Sequence, residues 1–170
     1  VNRRAVASTM GDKCILPPIL SAVHEEVLGF LRDIGNAKVE LEPIQVKSEK
    51  FHIRKKKLGL GSSAAVTVAA CGAFFELAGL TIDEHRMEIM KTATAAHKRI
   101  QGGKGSCADV SASALGGALI FSMDGRIEPI SVNNLQVAVV WSGRAASTSE
   151  LIGRIEAVAK TVCRRDERTG

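Results

Sequence analysis

The sequence predicts an α+β fold, and three observations lead to this class. Apolar residues recur at three- and four-residue spacing over residues 19–34 and again over 81–98, which is typical of amphipathic helices. A run of small and apolar residues from 62 to 77 predicts a further helix. The strand-like segments are clustered and do not strictly alternate with the helices, which favours α+β.

Cap and turn residues set the ends of the predicted helices. Gly35 and Asn36 follow the first helix and Gly79 follows the second, and glycine in such a place lets the chain leave a helix in a left-handed conformation. Thr81 and Glu84 form a T-x-x-E capping box, in which each side chain caps the other's backbone amide. We therefore expect the third helix to begin at Thr81.

A second capping box, Ser147 with Glu150, predicts a last helix that runs to residue 162. The Asp124-Gly125 pair predicts the turn of a β-hairpin. In chain order, the predicted strands cover residues 1–8, 38–46, 51–53, 118–122, 128–132 and 135–141. The charged tail from residue 164 onward has no periodicity.

Composition limits the classes of function. Of the 170 residues, 45% are hydrophobic and 24% are charged, as in a globular protein with a core. The net charge of +5 suits an anionic ligand. Only 4% of residues are aromatic and none is tyrosine, which argues against a nucleic-acid partner that binds by base stacking. The four cysteines include no CxxC pair, so neither a zinc knuckle nor a redox motif is supported.

Partners and compartment follow as expectations. The longest apolar stretch, residues 64–75, is shorter than the roughly 20 residues that span a bilayer, so we expect no membrane partner and a cytoplasmic location. A basic run covers residues 47–57, which alone would indicate a solvated turn. No feature of the sequence specifies an oligomeric state.

The strongest motif is a glycine loop that leads directly into a helix. Its residues are Lys57, Leu58, Gly59, Leu60, Gly61, Ser62, Ser63, Ala64 and Ala65. Glycines permit the positive φ that points successive amides into one concavity, and a helix N-terminus adds partial positive charge. This pattern predicts a phosphate-binding loop; the alternative is a plain turn in which Ser62 or Ser63 caps the helix.

Two familiar nucleotide motifs do not match this loop. A Walker A loop places its lysine after the last glycine, whereas Lys57 precedes both glycines here. A Rossmann turn would require a third glycine where Ala64 stands.

A second motif combines a flexible glycine stretch with one carboxylate. Gly102, Gly103 and Gly105 surround Lys104, and Ser106 precedes Asp109 by three residues. A lone carboxylate near a lysine suits orientation or deprotonation of an attacking hydroxyl. The alternative is that Ser106 is an N-cap and Asp109 the third helical residue, with no role in catalysis.

A third motif follows Trp141 and contains Arg144 and Ser147. These side chains and the free amides of a helix N-terminus suit a phosphate or carboxylate. Capping of the helix by Ser147 is the simpler reading, and both roles are compatible.

These three motifs in this order resemble those of the GHMP kinases, which phosphorylate small molecules with ATP and Mg²⁺. The resemblance implies the GHMP kinase fold, with a ribosomal-protein-like N-terminal domain over residues 1–132 and the start of a C-terminal α+β domain over 133–170. Within the family, phosphomevalonate kinases are most similar, through the run Ala96-His97-Lys98-Arg99-x-Gln101-Gly102-Gly103 and through Trp141-Ser142-Gly143-x-x-Ala146-Ser147-Thr148-Ser149.

The resemblance also implies residue roles. Residues Gly59, Leu60, Gly61, Ser62, Ser63 and Ala64 would bind the ATP phosphates, and Ser63 would contact Mg²⁺. Asp109 and Lys57 would be catalytic, and Ser106, Lys104, Arg144 and Ser147 would bind a phosphorylated substrate. Lys98 stands where mevalonate kinases carry a Mg²⁺-binding glutamate, which favours phosphomevalonate as the acceptor over mevalonate or another metabolite.

The resemblance covers only part of the family pattern. The first strand motif and the glycine-rich third motif are not found, so we expect an incomplete kinase that is inactive in isolation. A different class remains open, since the same architecture occurs in ribosomal proteins: a basic RNA- or anion-binding module. Steep salt dependence of binding would indicate such a module.

Overall fold

The computed structural model describes residues 8–9, 14–15, 17–36, 44, 46–47, 49–53, 56–103, 105–122, 124–143, 151, 153–155 and 158. Four α-helices have both ends within the described residues: α1 (Pro18–Asp33), α2 (Ser62–Leu77), α3 (Arg86–Ile100) and α4 (Ala108–Leu115). Six short strands accompany them: β1 (Ser8–Thr9), β2 (Cys14–Ile15), β3 (His52–Ile53), β4 (Lys56–Lys57), β5 (Ala118–Phe121) and β6 (Ile127–Ile130). The mixture of helices and small sheets agrees with the predicted α+β class.

The predicted ends of the first two helices are confirmed. Gly35 follows α1 with φ of +76°, and the amide of Asn36 donates to the carbonyl of Leu31 at 2.7 Å. Gly79 follows α2 with φ of +81°, and the amide of Leu80 donates to Phe75 O at 2.9 Å. Both ends are Schellman motifs, in which a left-handed glycine lets the chain satisfy carbonyls of the last helical turn.

The predicted start of the third helix is wrong. Helix α3 begins at Arg86, and residues 82–85 form turns before it. The hydroxyl of Thr81 donates to the carboxylate of Glu84 at 2.7 Å, so these side chains bond to each other instead of capping backbone amides. Asp83 pairs with Arg86 at 2.7 Å. The Thr81 hydroxyl and the Glu84 carboxylate thus have each other as partners, in place of the backbone amides that a capping box would pair them with.

The strands pair as three separate antiparallel ladders within the described residues: β1 with β2, β3 with β4, and β5 with β6. The predicted Asp-Gly hairpin is confirmed, because Ala118 pairs with Ile130 and Phe121 with Ile127. Gly125 has φ of +89°, and Asp124 accepts a hydrogen bond from the amide of Arg126 at 3.1 Å. The turn residues therefore set the register of this hairpin.

The strand predicted over residues 135–141 is wrong. The chain there is irregular and pairs with no other strand in the described residues. Leu135 and Val140 are 63% and 88% exposed. A strand exists only where a neighbour accepts and donates its backbone bonds, so an apolar run without a partner does not form one.

Other predicted elements fall wholly or partly outside the described residues. These are most of the strands over 1–8 and 38–46, the capping box of Ser147 and Glu150, and the charged tail. The predicted last helix is confirmed at residues 151, 153–155 and 158, which are helical. No described helix has the length and apolar character needed to cross a membrane.

The core lies between the four helices. Helices α2 and α3 each pack against the other three helices, and small residues on α2, such as Ala64, Ala70 and Gly72, allow close approach. Phe75 of α2 is wholly buried and stacks on Phe30 of α1, with ring centroids 4.8 Å apart. This helical core fixes where the first turns of α2 and α4 lie.

Cys71 is part of this core and is wholly buried. Burial, with a smaller contribution from Glu26, raises the pKa of its thiol from 9.0 to about 12. The thiol of the unfolded chain therefore ionises first, so its contribution to stability is present below pH 9.0 and is lost between pH 9.0 and about 12.

Replacing Cys71 by alanine is therefore expected to flatten the pH dependence of stability. Between about pH 8 and about pH 10, wild type should lose about 1 kcal/mol more free energy of unfolding than Cys71→Ala. Urea unfolding of both proteins at both pH values measures the difference, because all other titrating groups are common to the pair. Parallel losses in the two proteins would contradict the assignment.

Candidate active site

The glycine loop follows directly from the β3–β4 hairpin. The amide of Leu58 donates to the carbonyl of Phe51 at 2.9 Å, which anchors the loop at its start. Gly59 and Gly61 have φ values of +78° and +69°. An added Cβ would meet no atom within 4 Å at either glycine. The requirement for glycine is therefore conformational, because L residues with a side chain are disfavoured in this region.

The N-terminus of α2 is left open by this loop. Its N-cap is Gly61, and no side chain in the described chain caps the helix. The first helical bond runs from the amide of Ala65 to Gly61 O at 3.0 Å, so the amides of Ser62, Ser63 and Ala64 precede the helical ladder. The reading in which Ser62 or Ser63 is the N-cap is wrong, since both lie inside the helix.

The exposure of the loop residues separates their roles. Ser62 is buried at 6% exposure and Ala64 is wholly buried, whereas Ser63 is half-buried and Leu60 is 54% exposed. The hydroxyl of buried Thr67 donates to the carbonyl of Ser63 at 2.8 Å. Of the two serines, Ser63 thus presents the more accessible hydroxyl.

Lys57 ends strand β4 and is exposed. It pairs with His52 across the ladder, and Lys56 pairs with Ile53. Successive residues of a strand point to opposite faces, so Lys57 and Lys56 project to different sides of the hairpin. Lys57 lies two residues before Gly59, so its charge is carried at the entrance to the glycine loop.

The carboxylate of the second motif lies in the first turn of α4. Asp109 is exposed and its Oδ1 accepts a hydrogen bond from the amide of Val110 at 3.0 Å. The N-cap is Cys107, with φ of +60°, and Ser106 lies outside the helix. The reading of Ser106 as N-cap is therefore wrong, and the three residues that separate Ser106 from Asp109 are not a spacing within the helix. Ser106 Oγ instead accepts from the amide of Ala108 at 3.3 Å.

The first turns of α2 and α4 belong to one packed unit. The two helices pack against each other, and Ala64 and Val110, one from each first turn, are wholly buried in the same core. Both helices begin after a left-handed residue, Gly61 or Cys107. The glycine loop and the candidate catalytic carboxylate are therefore carried by helices that are in contact.

Three residues to which the sequence analysis gave no role in the site support the start of α4. His97 is 1% exposed, and its ring nitrogens approach Cys107 Sγ at 4.0 Å and Gln101 Nε2 at 3.4 Å. Burial raises the pKa of the Cys107 thiol, Lys98 acts to lower it and Asp109 to raise it. The four-residue spacing of His97 and Gln101 on a helix was the available signal, but only the fold brings Cys107 to them.

Three predicted substrate-binding residues, Lys104, Arg144 and Ser147, lie outside the described residues. Lys98 is exposed in the last turn of α3. Among the residues that the structure describes, no group of three or more His, Cys, Asp or Glu side chains is placed to hold a metal ion.

The chemical groups of the glycine loop suit a nucleoside triphosphate. Amides at an open helix N-terminus and left-handed glycines can form a concavity that suits an anion, and Ser63 is the more accessible of the two serines there. Mg²⁺ in such sites is held mainly by substrate phosphates and waters with one or two protein ligands, so a cage of side chains is not required.

Comparison with known proteins agrees with this geometry. The family model described as GHMP kinases N terminal domain matches residues 23–117, which is more than half of the chain and includes the glycine loop and Asp109. Similar curated proteins include one named mevalonate kinase from Pyrococcus horikoshii, 38% identical over 97 residues (57% of this chain and 28% of that protein). No solved structure matches the chain.

Two further relatives named mevalonate kinase match a longer stretch. The protein from Thermococcus sibiricus is 34% identical over 133 residues, which cover 76% of this chain and 38% of that protein. The protein from Pyrococcus furiosus is 33% identical over 133 residues, 76% of this chain and 39% of that protein. The chain thus spans well under half the length of these relatives. Through the match of residues 23–117 to the N-terminal domain model, it belongs to the GHMP kinases.

Proposed function

We propose that the protein carries the ATP site of a kinase that phosphorylates a small alcohol of the mevalonate pathway, in the cytoplasm. The observation that carries this proposal is the open N-terminus of α2. Two left-handed glycines lead into a helix whose first three amides have no place in its hydrogen-bond ladder. This arrangement offers donors and partial positive charge to the phosphates of ATP.

The proposed reaction is direct in-line transfer. The acceptor hydroxyl oxygen forms a bond to the γ-phosphorus, the bond from that phosphorus to the β–γ bridging oxygen breaks, and ADP leaves with the electron pair. Asp109 orients the acceptor hydroxyl or takes its proton, and Lys57 offsets the charge of the transferred group. The exposed position of Asp109 in the first turn of α4 suits this role. Mg²⁺ supplies charge neutralisation on the phosphates, and Ser63 is its proposed protein contact.

Phosphomevalonate is the proposed acceptor, and the product would be a diphosphate ester. Lys98 stands in the last turn of α3, close enough to the start of α4 to influence the pKa of Cys107. A cation there suits an acceptor that already carries a phosphate. Ser106, Lys104, Arg144 and Ser147 are the proposed contacts to this substrate, and residues 133–170 are proposed to begin the second domain.

Mevalonate is the second candidate acceptor. The similar proteins from Pyrococcus and Thermococcus are named mevalonate kinase, and the longer matches cover 76% of this chain. Unphosphorylated mevalonate would need less positive charge near α4 than the chain carries at Lys98.

A coupled assay of ADP formation with MgATP, run on the full-length protein that carries these residues, tests the proposal, with phosphomevalonate and mevalonate offered separately. We expect turnover with phosphomevalonate in preference, and we expect Lys57→Met to reduce it by about tenfold or more, whereas Lys56→Met stays within about twofold. Lys56 is the matched control, because it is exposed on the same strand and projects to the other face.

Three results would contradict parts of the proposal. Preference for mevalonate would replace the acceptor by the second candidate. Equal losses in Lys57→Met and Lys56→Met would remove Lys57 from the site. Absence of product with both acceptors, together with absence of MgATP binding by calorimetry, would overturn the kinase assignment.

A further inference from the structure

A buried group of side chains joins the end of α3 to the start of α4. We call His97, Gln101 and Cys107 the His97 cluster. His97 and Cys107 are 1% and 4% exposed, and Gln101 is half-buried. None of these three side chains takes part in the backbone hydrogen bonds of the helices, and none of the three residues belongs to the glycine loop.

The imidazole ring of His97 contacts both other members of the cluster. Gln101 Nε2 lies 3.4 Å from His97 Nε2, and Cys107 Sγ lies 4.0 Å from His97 Nδ1. Each ring nitrogen therefore contacts one side chain, one before the glycine stretch and one after it.

The residue held by His97 has an unusual backbone conformation. Cys107 has φ of +60°, which is disfavoured for a residue with a Cβ. Its carbonyl accepts from the amide of Ser111 at 3.1 Å and from the Ser111 hydroxyl at 3.3 Å. Cys107 is thus fixed on one side by the ladder of α4 and on the other by His97.

The loop between these residues passes close to the cluster at Gly105. A Cβ added at Gly105 would lie 3.2 Å from Gln101 Oε1, so the backbone there passes close to the glutamine side chain. Two residues after Cys107, the chain reaches Asp109 in the first turn of α4. The direction of that first turn therefore depends on the left-handed conformation of Cys107.

We propose that the His97 cluster is a positioning unit: it holds Cys107 in the left-handed conformation at the N-cap of α4 and so aims Asp109 at the acceptor hydroxyl. The inference rests on the proposed function, because the aim of Asp109 matters only where Asp109 acts on an acceptor. Sub-ångström placement of a reacting group is what such supporting side chains provide.

Three substitutions at His97 separate its two contacts. His97→Leu removes both nitrogens at similar volume. His97→Asn keeps an amide near the position of Nδ1 and with it the contact to Cys107, whereas His97→Gln keeps an amide near Nε2 and the contact to Gln101. Thr92→Val is the matched control, because Thr92 is a buried polar residue on the same helix outside the cluster.

The first readout is the rate at which iodoacetamide alkylates Cys107, followed by mass spectrometry in the purified protein. We expect His97→Leu and His97→Gln to raise this rate by about tenfold or more, and His97→Asn and Thr92→Val to stay within about threefold of wild type. Cys71, wholly buried in α2, is the internal reference and should not change. Gln101→Leu provides a milder variant if His97→Leu does not fold.

The second readout compares the kinetic constants for the acceptor with those for MgATP. We expect kcat/KM for the acceptor to fall by about ten- to a hundredfold in the variants that expose Cys107, while KM for MgATP stays within about twofold. His97→Asn should retain most of the acceptor activity, which a loss of general stability would not predict.

Each remaining outcome counts against a stated part. Unchanged alkylation of Cys107 in folded His97→Leu and Gln101→Leu would overturn the inference while leaving the kinase assignment intact. Equal rises in KM for the acceptor and for MgATP would mean that the cluster stabilises the fold without positioning Asp109. A full-length wild-type protein with no phosphoryl transfer would overturn the proposed function and, with it, the aiming of Asp109.

Discussion

Replacing Asp109 by asparagine is expected to reduce phosphoryl transfer by about 10²–10⁴-fold while MgATP binding stays unchanged. The carboxylate is exposed in the first turn of α4, and its Oδ1 accepts from the amide of Val110. An asparagine oxygen accepts the same bond, so the helix start should be retained. The substitution removes only the negative charge and the capacity to take a proton from the acceptor.

Initial rates with the acceptor and calorimetry with MgATP measure this result. Asp33→Asn is the matched control, because it makes the same chemical change at an exposed residue at the end of α1. We expect the control to keep wild-type turnover. A kcat for Asp109→Asn within about threefold of wild type would remove Asp109 from the chemistry.

Replacing Gly61 by alanine is expected to weaken MgATP binding by about tenfold or more and to cost about 1–2 kcal/mol of stability. Gly61 has φ of +69° and is the N-cap of α2. A side chain there favours negative φ, and relief of the strain turns the first amides of α2 away from the concavity. The loss of affinity is thus expected from backbone geometry alone, since no atom lies within 4 Å of the added Cβ.

Gly79→Ala is the control for strain. Gly79 has φ of +81° at the other end of the same helix and also has open space around a Cβ. Both variants should lose similar stability by urea unfolding, but only Gly61→Ala should lose affinity by calorimetry. Gly61→Asn should recover part of both, because asparagine tolerates the left-handed region better than alanine. Equal MgATP affinities of Gly61→Ala and Gly79→Ala would disprove the phosphate-loop geometry.

Locally determined features were predicted from the sequence. The extent of α2 over residues 62–77, the glycine ends of α1 and α2 and the β5–β6 hairpin all agree with the structure. Each depends on residues close together in the chain, since a left-handed glycine or an Asp-Gly turn sets its own backbone. The glycine loop was recognisable for the same reason.

Features that depend on a partner were not predicted correctly. The apolar run over 135–141 reads as a strand, but no described strand accepts its bonds. Thr81 and Glu84 match a capping box, yet their side chains bond to each other and α3 begins at Arg86. Periodicity and motif report what a segment favours, and the surrounding contacts decide whether that preference is realised.

The sequence by itself determined the family, the glycine loop and the position of Asp109 in the chain, because glycine spacing and a helix start are local properties. Only the tertiary structure decided that Gly61, and not Ser62 or Ser63, is the N-cap of α2, and that Cys107, and not Ser106, is the N-cap of α4. It also brought His97 against Cys107, ten residues along the chain. Packing of α3 on α4 supplies that contact, and packing energy is what stabilises a left-handed cysteine that local preference disfavours.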